Sequence, residues 1–451
     1  MAGTVKRTAK NTGNNRGRRR APAVSVLISL FLVIACVIFV SIRYLRGNFG
    51  GAENNDTQTE PTVSYEPPES PAETIITEQS EGAEALPVEK TPAVNVKGIF
   101  VAAWYVGTED GANRFIEICD SSEINAIVID VKDDFGKLSF VSNNESISAA
   151  GSSVIPDIEQ TVSRLKEHGI YVIARLVCFK DPLWCDLNPS LAIHDNSGAT
   201  WRDANGVAWL DPYNTGAWEY IAAVAKEAAR VGFDEIQLDY VRFPAEGNLS
   251  AINFGSAGAE KTKAEIIGSF LEYIRTELLT TPAWLSADAF GIIAVREGDF
   301  ENIGQDLDVL LQSVDYVCPM IYPSHFAHIG QNGAGQSVNG ILIEIPDIEP
   351  YKMIYNILQM VKSRMPGDGN HAVVRPYLQA FTASWLGEGY YQTYTAQQVL
   401  EQIQAVRSAG FDEWILWNPS GDISIYENVS SLISSENSAG SSSGTPAVSN
   451  A

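Results

Sequence analysis

The sequence contains few of the residues that enzymes use to bind metals or to attack as nucleophiles. Its 451 residues include five cysteines and five histidines, and the histidines form neither an H-x-H nor an H-E-x-x-H motif. His325 and His328 give only a weak metal signal, and no G-x-S-x-G elbow is present. Cys178 and Cys185 predict either a disulfide or two buried free thiols. We therefore predict no metal and no cofactor.

Basic residues are also scarce outside the N-terminus. Nine of the 31 Lys and Arg residues lie in the first 46 positions, which contain no Asp or Glu. The rest of the chain carries 22 basic against 55 acidic residues, a net charge of −33. Nucleic-acid affinity depends on Lys and Arg neutralising phosphates. We therefore predict that the large domain binds neither DNA nor RNA.

One long uncharged run, residues 24–42, has about the length that a helix needs to span a bilayer. Seven basic residues precede the run and two follow it closely, which places the N-terminus in the cytoplasm and the later chain outside the cell membrane. We predict an uncleaved, single-pass signal anchor. The alternatives are a cleaved signal peptide, for which the run is long and lacks a small-x-small site, and a lipoprotein processed at Cys36.

Composition divides the chain into five parts. A basic cytoplasmic tail, 1–23, precedes the membrane span, 24–42, and an acidic Pro/Thr/Glu-rich linker, 43–94, follows the span. A globular domain covers 95–429, and a Ser/Gly-rich tail covers 430–451. We predict that the linker and the C-terminal tail are disordered.

Strand-like apolar runs alternate with helical patterns in the globular part. The predicted strands are 97–104, 126–132, 171–179, 235–243, 284–291, 316–323, 373–381 and 413–419. The helical patterns are 109–122, 156–168, 215–231, 259–279, 299–313, 350–365 and 395–408. This alternation predicts an α/β fold, a (β/α)8 TIM barrel. A doubly wound sheet is the alternative, but no glycine-rich phosphate loop follows the first strand.

The fourth predicted strand ends in a carboxylate. Asp239 shares a face with Gln237 near the C-terminal end of the strand, where TIM barrels place catalytic residues. A carboxylate in an apolar strand is costly unless it is paired or functional. An ion pair with Arg242 is the structural alternative to a catalytic role.

Two more carboxylates are predicted at the same rim. Asp130 lies with Lys132 on the second strand, and Asp288 lies on the fifth. Cleavage of a glycosidic bond requires such convergent carboxyl groups, one protonated and one ionised. Further predicted rim residues are Arg242, Arg375 and Gln379.

Aromatic residues cluster at predicted strand ends and in rim loops, and flat rings stack on the apolar faces of sugars. They are Trp104, Tyr105, Trp201, Trp209, Tyr240, Tyr322, Trp385 and Trp417. Core packing is the alternative for about half of them.

Five motifs stand in a characteristic order: 97–101, 128–133, 237–244, 319–325 and 375–381. Over roughly residues 96–428 the chain resembles a bacterial family described as a "putative glycoside hydrolase domain", often labelled a domain of unknown function. The family is common in membrane-anchored proteins of Gram-positive bacteria. The resemblance implies a glycosidase-like TIM barrel.

The fourth strand also resembles that of the α-amylase superfamily, in which the aspartate at the position of Asp239 is the nucleophile. That superfamily has an arginine where this chain has Gln237, and a glutamate acid where this chain offers Asp288. The chitinase fourth strand is similar too, but its catalytic glutamate falls on Val241. Asp239 remains a candidate catalytic residue in these comparisons, whereas the identity of its acid partner is left open.

We therefore expect a membrane-tethered glycoside hydrolase that acts outside the cell on an envelope or matrix polysaccharide. Asp239 would be the nucleophile or general base and Asp288 the acid, with Asp130 and Lys132 as electrostatic partners or sugar ligands. The alternative is a non-catalytic glycan-binding barrel that serves as an envelope or spore-coat scaffold. A third possibility is a carboxylate hydrolase or transglycosylase that uses a bound cation.

Overall fold

The computed structural model describes residues 87–330, 333–367 and 369–442. The predicted cytoplasmic tail, the predicted membrane span 24–42 and most of the predicted linker lie outside these residues. No helix in the described ranges is both long and apolar enough to cross a membrane.

Eight parallel strands close into a barrel. They are β1 Lys97–Val101, β2 Ala126–Lys132, β3 Tyr171–Val177, β4 Glu235–Asp239, β5 Trp284–Phe290, β6 Tyr316–Met320, β7 with its two segments Val373–Val374 and Tyr377–Gln379, and β8 Trp414–Trp417. Each strand pairs with the next one along the chain, and β8 pairs with β1. All eight predicted strands are present, and closure of the sheet confirms the TIM barrel over the doubly wound alternative.

A helix follows every strand. The helices are α1 Glu109–Asp120, α2 Ile158–Glu167, α3 Thr215–Arg230, α4 Lys263–Glu277, α5 Leu307–Ser313, α6 Pro350–Arg364, α7 Ala396–Ala409 and α8 Ser424–Ser442. Each of the first seven overlaps a predicted helical pattern, although α5 begins eight residues later than predicted. Asn214 caps α3, Thr395 caps α7, and α7 ends at Gly410 with a φ of +87°.

Short elements decorate the loops. They are the helices Ala103–Val106, Pro182–Leu187 and Ala257–Glu260, the strand pair His194–Asp195 with Ile252–Asn253, and the hairpin Gln336–Val338 with Ile341–Ile343.

Both ends of the barrel domain extend beyond the predicted bounds. Lys90 donates from Nζ to the carbonyl of Ala283 (2.5 Å), and Trp284 donates from Nε1 to the carbonyl of Thr91 (2.9 Å), so part of the predicted linker is fixed to the barrel. Residues 430–442 are helical rather than disordered, because Val429 and Ile433 are buried along α8. The serine and glycine content of the tail hid this apolar spacing.

Alternation along the strands separates two cores. Outward residues such as Ile127 and Leu238 pack beneath the helices, whereas inward residues such as Val128 and Tyr377 fill the barrel. The four described cysteines are free thiols, so no disulfide joins Cys178 to Cys185.

Candidate active site

Asp239 lies at the C-terminal end of β4 and is 6% exposed. Arg175 on β3 donates to its Oδ2 from Nε (2.9 Å) and Nη2 (2.5 Å), and the backbone N–H of Tyr240 donates to its Oδ1 (2.6 Å). Three donors stabilise the negative charge of this carboxylate. The partner of Asp239 is thus Arg175, and not Arg242 as the structural alternative supposed.

The backbone turns sharply directly after Asp239. Tyr240 has a φ of +49°, a conformation that non-glycine residues rarely adopt and that is often found at functional sites. The turn ends the strand and aims the N–H of Tyr240 at the carboxylate.

Arg175 also binds a second predicted carboxylate. Its Nη1 donates to Oδ1 of Asp130 (2.5 Å), which is its register partner on β2. The guanidinium group lies 5.3 Å from the ring centre of Trp417. Sequence reasoning missed Arg175, although a single charged residue within the apolar strand 171–177 was a usable signal.

Asp288 on β5 is the third carboxyl group at this level of the barrel. Leu238 and Ala287 are register partners on β4 and β5, and Asp239 and Asp288 follow them on the two inner faces. Asp288 is 1% exposed, and within the described residues its Oδ1 has no hydrogen-bond partner. Burial, and next the negative charge of Asp239, raise the pKa of Asp288 well above its ordinary value. The site therefore combines a carboxylate held by three donors with a buried carboxyl group on the next strand whose pKa is raised.

Asp130 stands nearer to solvent than the other two carboxyl groups. Its side chain is 21% exposed. Burial by surrounding protein raises its pKa to about 6, although the charge of Arg175 acts in the opposite direction. The structure thus brings together all three carboxyl groups that the sequence predicted at one rim.

Lys132 does not join them. A register shift in β2 lies between Asp130 and Lys132, and such a shift changes the face to which a side chain points. Lys132 is 1% exposed, pairs with Oδ2 of Asp181 (2.7 Å), and lies 5.6 Å from the ring centre of Tyr220 on α3. Its prediction as a sugar ligand is corrected to a buried structural ion pair.

Arg375 and Gln379 are also withdrawn from solvent. Arg375 is fully buried and pairs with Glu235, the first residue of β4 (2.8 Å), and with Glu413 (2.7 Å), at the end of the barrel opposite Asp239. Gln379 is fully buried, donates to Oδ1 of Asp347 (2.9 Å) and accepts from the N–H of Ser324 (3.0 Å). Neither residue is therefore an exposed ligand at the rim. Both form buried ion pairs or hydrogen bonds inside the domain.

The aromatic residues predicted at the rim, and Arg242, differ in how far they are exposed to solvent. Trp201, Trp209 and Tyr322 are buried; Tyr105, Tyr240 and Trp417 are partly buried; Trp104 and Trp385 are 58% and 60% exposed. Arg242 is 8% exposed, and its guanidinium group lies 4.4 to 5.0 Å from the ring centres of Phe290, Trp209 and Tyr240. Arg242 is thus enclosed by rings rather than open at the rim.

The two loop histidines serve different contacts. His328 contacts Tyr390, with ring centres 4.8 Å apart and the planes tilted by 39°, while His325 lies beside Tyr322. In the described part of the chain, no group of three or more His, Cys, Asp or Glu side chains is arranged to hold a metal ion.

A closed parallel barrel with carboxyl groups at its C-terminal rim has the architecture of many glycoside hydrolases. Comparison with known families makes this specific: the chain belongs to the family described as "Putative glycosyl hydrolase domain", whose model matches residues 98–422. This match confirms the resemblance drawn from the five motifs and places the protein among glycosidases of unknown substrate.

Two solved structures are similar to this chain, and the first of them, with a TM-score above 0.5, supports the fold. The glycoside hydrolase domain of PgaB (BpsB) from Bordetella bronchiseptica is 13% identical, and the match covers 74% of this chain and 95% of that domain with a TM-score of 0.52. A hypothetical protein from Ruminiclostridium thermocellum ATCC 27405 is 38% identical over 42% of this chain and 96% of its own, with a TM-score of 0.39. No curated protein sequence matches the chain significantly.

Proposed function

We propose that this glycosidase hydrolyses an envelope or matrix polysaccharide, with Asp239 as nucleophile and Asp288 as general acid. The observation that carries the proposal is the pairing of a carboxylate that receives three hydrogen bonds with a buried carboxyl group whose pKa is raised. Glycosidases need these two protonation states side by side.

The proposed reaction begins when Asp288 gives its proton to the glycosidic oxygen. Asp239 bonds to the anomeric carbon as the bond to the leaving sugar breaks. Asp288 then takes a proton from water, which cleaves the glycosyl–Asp239 bond and restores both carboxyl groups. Asp239 and Asp288 lie on adjacent strands, and this retaining course requires their carboxyl groups to lie about 5 Å apart.

Arg175 positions Asp239 in this proposal. Its guanidinium group holds Oδ2 through two donors and ties the carboxylate to Asp130. Oδ1, which accepts a single backbone N–H, is left as the attacking atom. Asp130 adds negative charge near the positive charge that develops on the sugar ring in the transition state.

We further propose that the enzyme works outside the cell, tethered by residues 24–42. The proposal is supported by the length of this uncharged run and by the seven basic residues before it. Protease treatment of intact cells, with detection of the barrel by antibody, tests this location. Protection of the barrel until the cells are lysed would contradict it.

A glycan-binding barrel without catalysis is the second candidate. It is favoured by the low exposure of Asp239 and Asp288, which are 6% and 1% exposed. A binding scaffold needs the rim aromatics but does not need access to these two carboxyl groups.

Release of reducing ends by the purified full-length chain separates the two candidates. Peptidoglycan, poly-N-acetylglucosamine and crude Gram-positive envelope polysaccharide are the substrates, and Asp239→Asn and Asp288→Asn are the test variants. Asp308→Asn is the matched control, because Asp308 is an exposed carboxylate on α5 that pairs with Arg364. Activity lost in both test variants and kept in the control supports the glycosidase. Retention of one polysaccharide without cleavage supports the scaffold.

A further inference from the structure

An aromatic strip leads from the carboxyl groups to the surface at the ends of β6 and β7. Tyr322 is buried beside the carboxyl groups, and burial and the charges of Asp288 and Asp239 raise its pKa. Phe381 lies 5.7 Å from Tyr322, and Trp385 lies 5.8 Å from Phe381, measured between ring centres. The strip thus becomes more exposed with distance from the site, from 5% for Tyr322 to 60% for Trp385.

The last two rings of the strip form a flat platform. Phe381 and Trp385 are nearly parallel, with an angle of 22° between their planes. Trp385 therefore packs one face on protein and leaves much of its surface open to solvent. The open face of this indole offers a flat apolar surface to a ligand.

His325 borders this platform. Its ring stands edge-on to Phe381 (6.1 Å, 89°) and to Trp385 (6.4 Å, 72°). Its Nδ1 lies 3.2 Å from Oγ of Ser324, and its Nε2 has no hydrogen-bond partner among the described residues. A hydroxyl group on a ring stacked against Trp385 would find a polar partner at this edge.

Buried hydrogen bonds hold the platform in place. The side chain of Gln379 accepts from the N–H of Ser324 (3.0 Å) and donates to Asp347 (2.9 Å) and to the carbonyl of Phe381 (3.1 Å). One buried amide therefore fixes the backbone of the residue before His325 and the backbone of Phe381, which carries the first ring of the platform. A surface fixed before binding avoids the entropic cost of ordering side chains when a ligand arrives.

We propose that Phe381, Trp385 and His325 form a subsite for a pyranose ring of a linear glycan, one unit or more from the scissile bond. The inference rests on the proposed function, because it takes the carboxyl groups as the point of cleavage. A pyranose has the apolar face that the platform fits and the peripheral hydroxyl groups that His325 fits. The ligand class is therefore an oligosaccharide or polysaccharide rather than a single sugar.

The test is retention of the full-length chain by gels that contain peptidoglycan fragments, poly-N-acetylglucosamine or crude Gram-positive envelope polysaccharide. Wild type is expected to be retained by at least one polymer, and Trp385→Ala to bind that polymer about five- to tenfold more weakly. Trp385→Phe keeps a flat ring and is therefore expected to weaken binding less than half as much as Trp385→Ala does. His325→Ala is expected to weaken binding about two- to threefold.

Tyr351→Ala is the matched control. Tyr351 is also exposed (40%) and stacked, on Tyr355 at 6.1 Å and 7°, but it lies on the outer helix α6. Equal retention of Trp385→Ala and wild type would overturn the subsite, even if cleavage stands. Retention of wild type by none of the three polymers would also overturn it. Retention that depends on Trp385 without any cleavage would keep the subsite and reject the proposed hydrolysis.

Discussion

Two buried arginines occupy opposite ends of the barrel, and each bridges a pair of carboxylates. At one end Arg375 binds Glu235 and Glu413; at the other Arg175 binds Asp130 and Asp239. The two arginines are 0% and 3% exposed, so burial alone does not distinguish a structural cluster from a functional one.

The difference lies in what surrounds each cluster. Arg375 is covered by the ring of Tyr316 at 4.0 Å, and Tyr171 donates to Glu235 at 3.2 Å. Beside Arg175 stands an additional carboxyl group, Asp288, with an unpartnered oxygen in the described part of the chain. Burying a polar group without a partner costs stability. Among the described residues, Nη2 of Arg375 also lacks a partner, but Glu235 and Glu413 are both paired with this cation, whereas no ion pair reaches Asp288. The rim cluster thus retains a buried carboxyl group without a cation, and this favours function at the rim.

The largest effect on kcat is expected from a comparison of substitutions at two acidic residues on the same strand. Asp239→Asn is expected to lower kcat roughly 10⁴-fold, because it removes the proposed nucleophile at the rim end of β4. Glu235→Gln, at the other end of β4, is expected to change kcat less than tenfold. Reducing-end assays on folded protein measure both, and similar losses in the two variants would contradict the division between the barrel ends.

The second expected effect concerns the end of the barrel opposite the rim, where Arg375 lies. Arg375→Met leaves Glu235, which is fully buried, without its cation. The free energy of unfolding is expected to fall by about 3–5 kcal/mol, as measured by urea denaturation. Arg375→Met combined with Glu235→Gln removes the uncompensated charge and is expected to recover part of the loss. A stability change below about 1 kcal/mol in the single variant would refute the structural role.

These clusters also show how far the sequence predicts the site. Alternation correctly placed Asp130, Asp239 and Asp288 on inward faces, because side chains alternate with a period of two along a strand. The same rule predicted an inward Arg375 but not its depth, since depth depends on register between distant strands. The prediction for Lys132 was wrong for a local reason, because the register shift in β2 breaks the alternation of side chains.

The fold was more predictable than the site. Eight strands and seven helices follow from apolar periodicity and from caps such as Asn214 and Thr395. The eighth helix was missed because serine and glycine dominate its composition, although Val429 and Ile433 lie on its buried face. Tertiary packing against neighbouring helices, which a local pattern does not report, decides that segment.

The third effect sharpens the role of Arg175. Arg175→Lys keeps a positive charge but lacks the planar fork that donates once to Asp130 and twice to Oδ2 of Asp239. It is expected to lower kcat about 10²-fold. Arg175 is the main opposing influence on the raised pKa of Asp130, and a weaker cationic contact is expected to move that pKa above about 6. An NMR titration of the Asp130 carboxyl carbon measures this shift, and an unchanged pKa would contradict the bridge.

The smallest expected effect is an increase in the free energy of unfolding, whereas most mutations decrease it. The pKa of Asp288 is raised in the folded protein, so the folded state holds this proton more tightly than the unfolded state does. Below the unfolded pKa of about 3.9 both states are protonated, and Asp288 carries no ionisation penalty. As the pH rises above that value the unfolded state ionises while the folded state resists, and stability is lost.

Asp288→Asn removes this loss while it removes the proposed acid. The free energy of unfolding at pH 7 is therefore expected to increase by about 1–2 kcal/mol, with no comparable gain at pH 3. Urea denaturation at the two pH values measures the difference, with Asp308→Asn as the exposed control on α5. A variant destabilised at pH 7 would mean that Asp288 supports the barrel as Glu235 does, and the contrast between the two ends would fail.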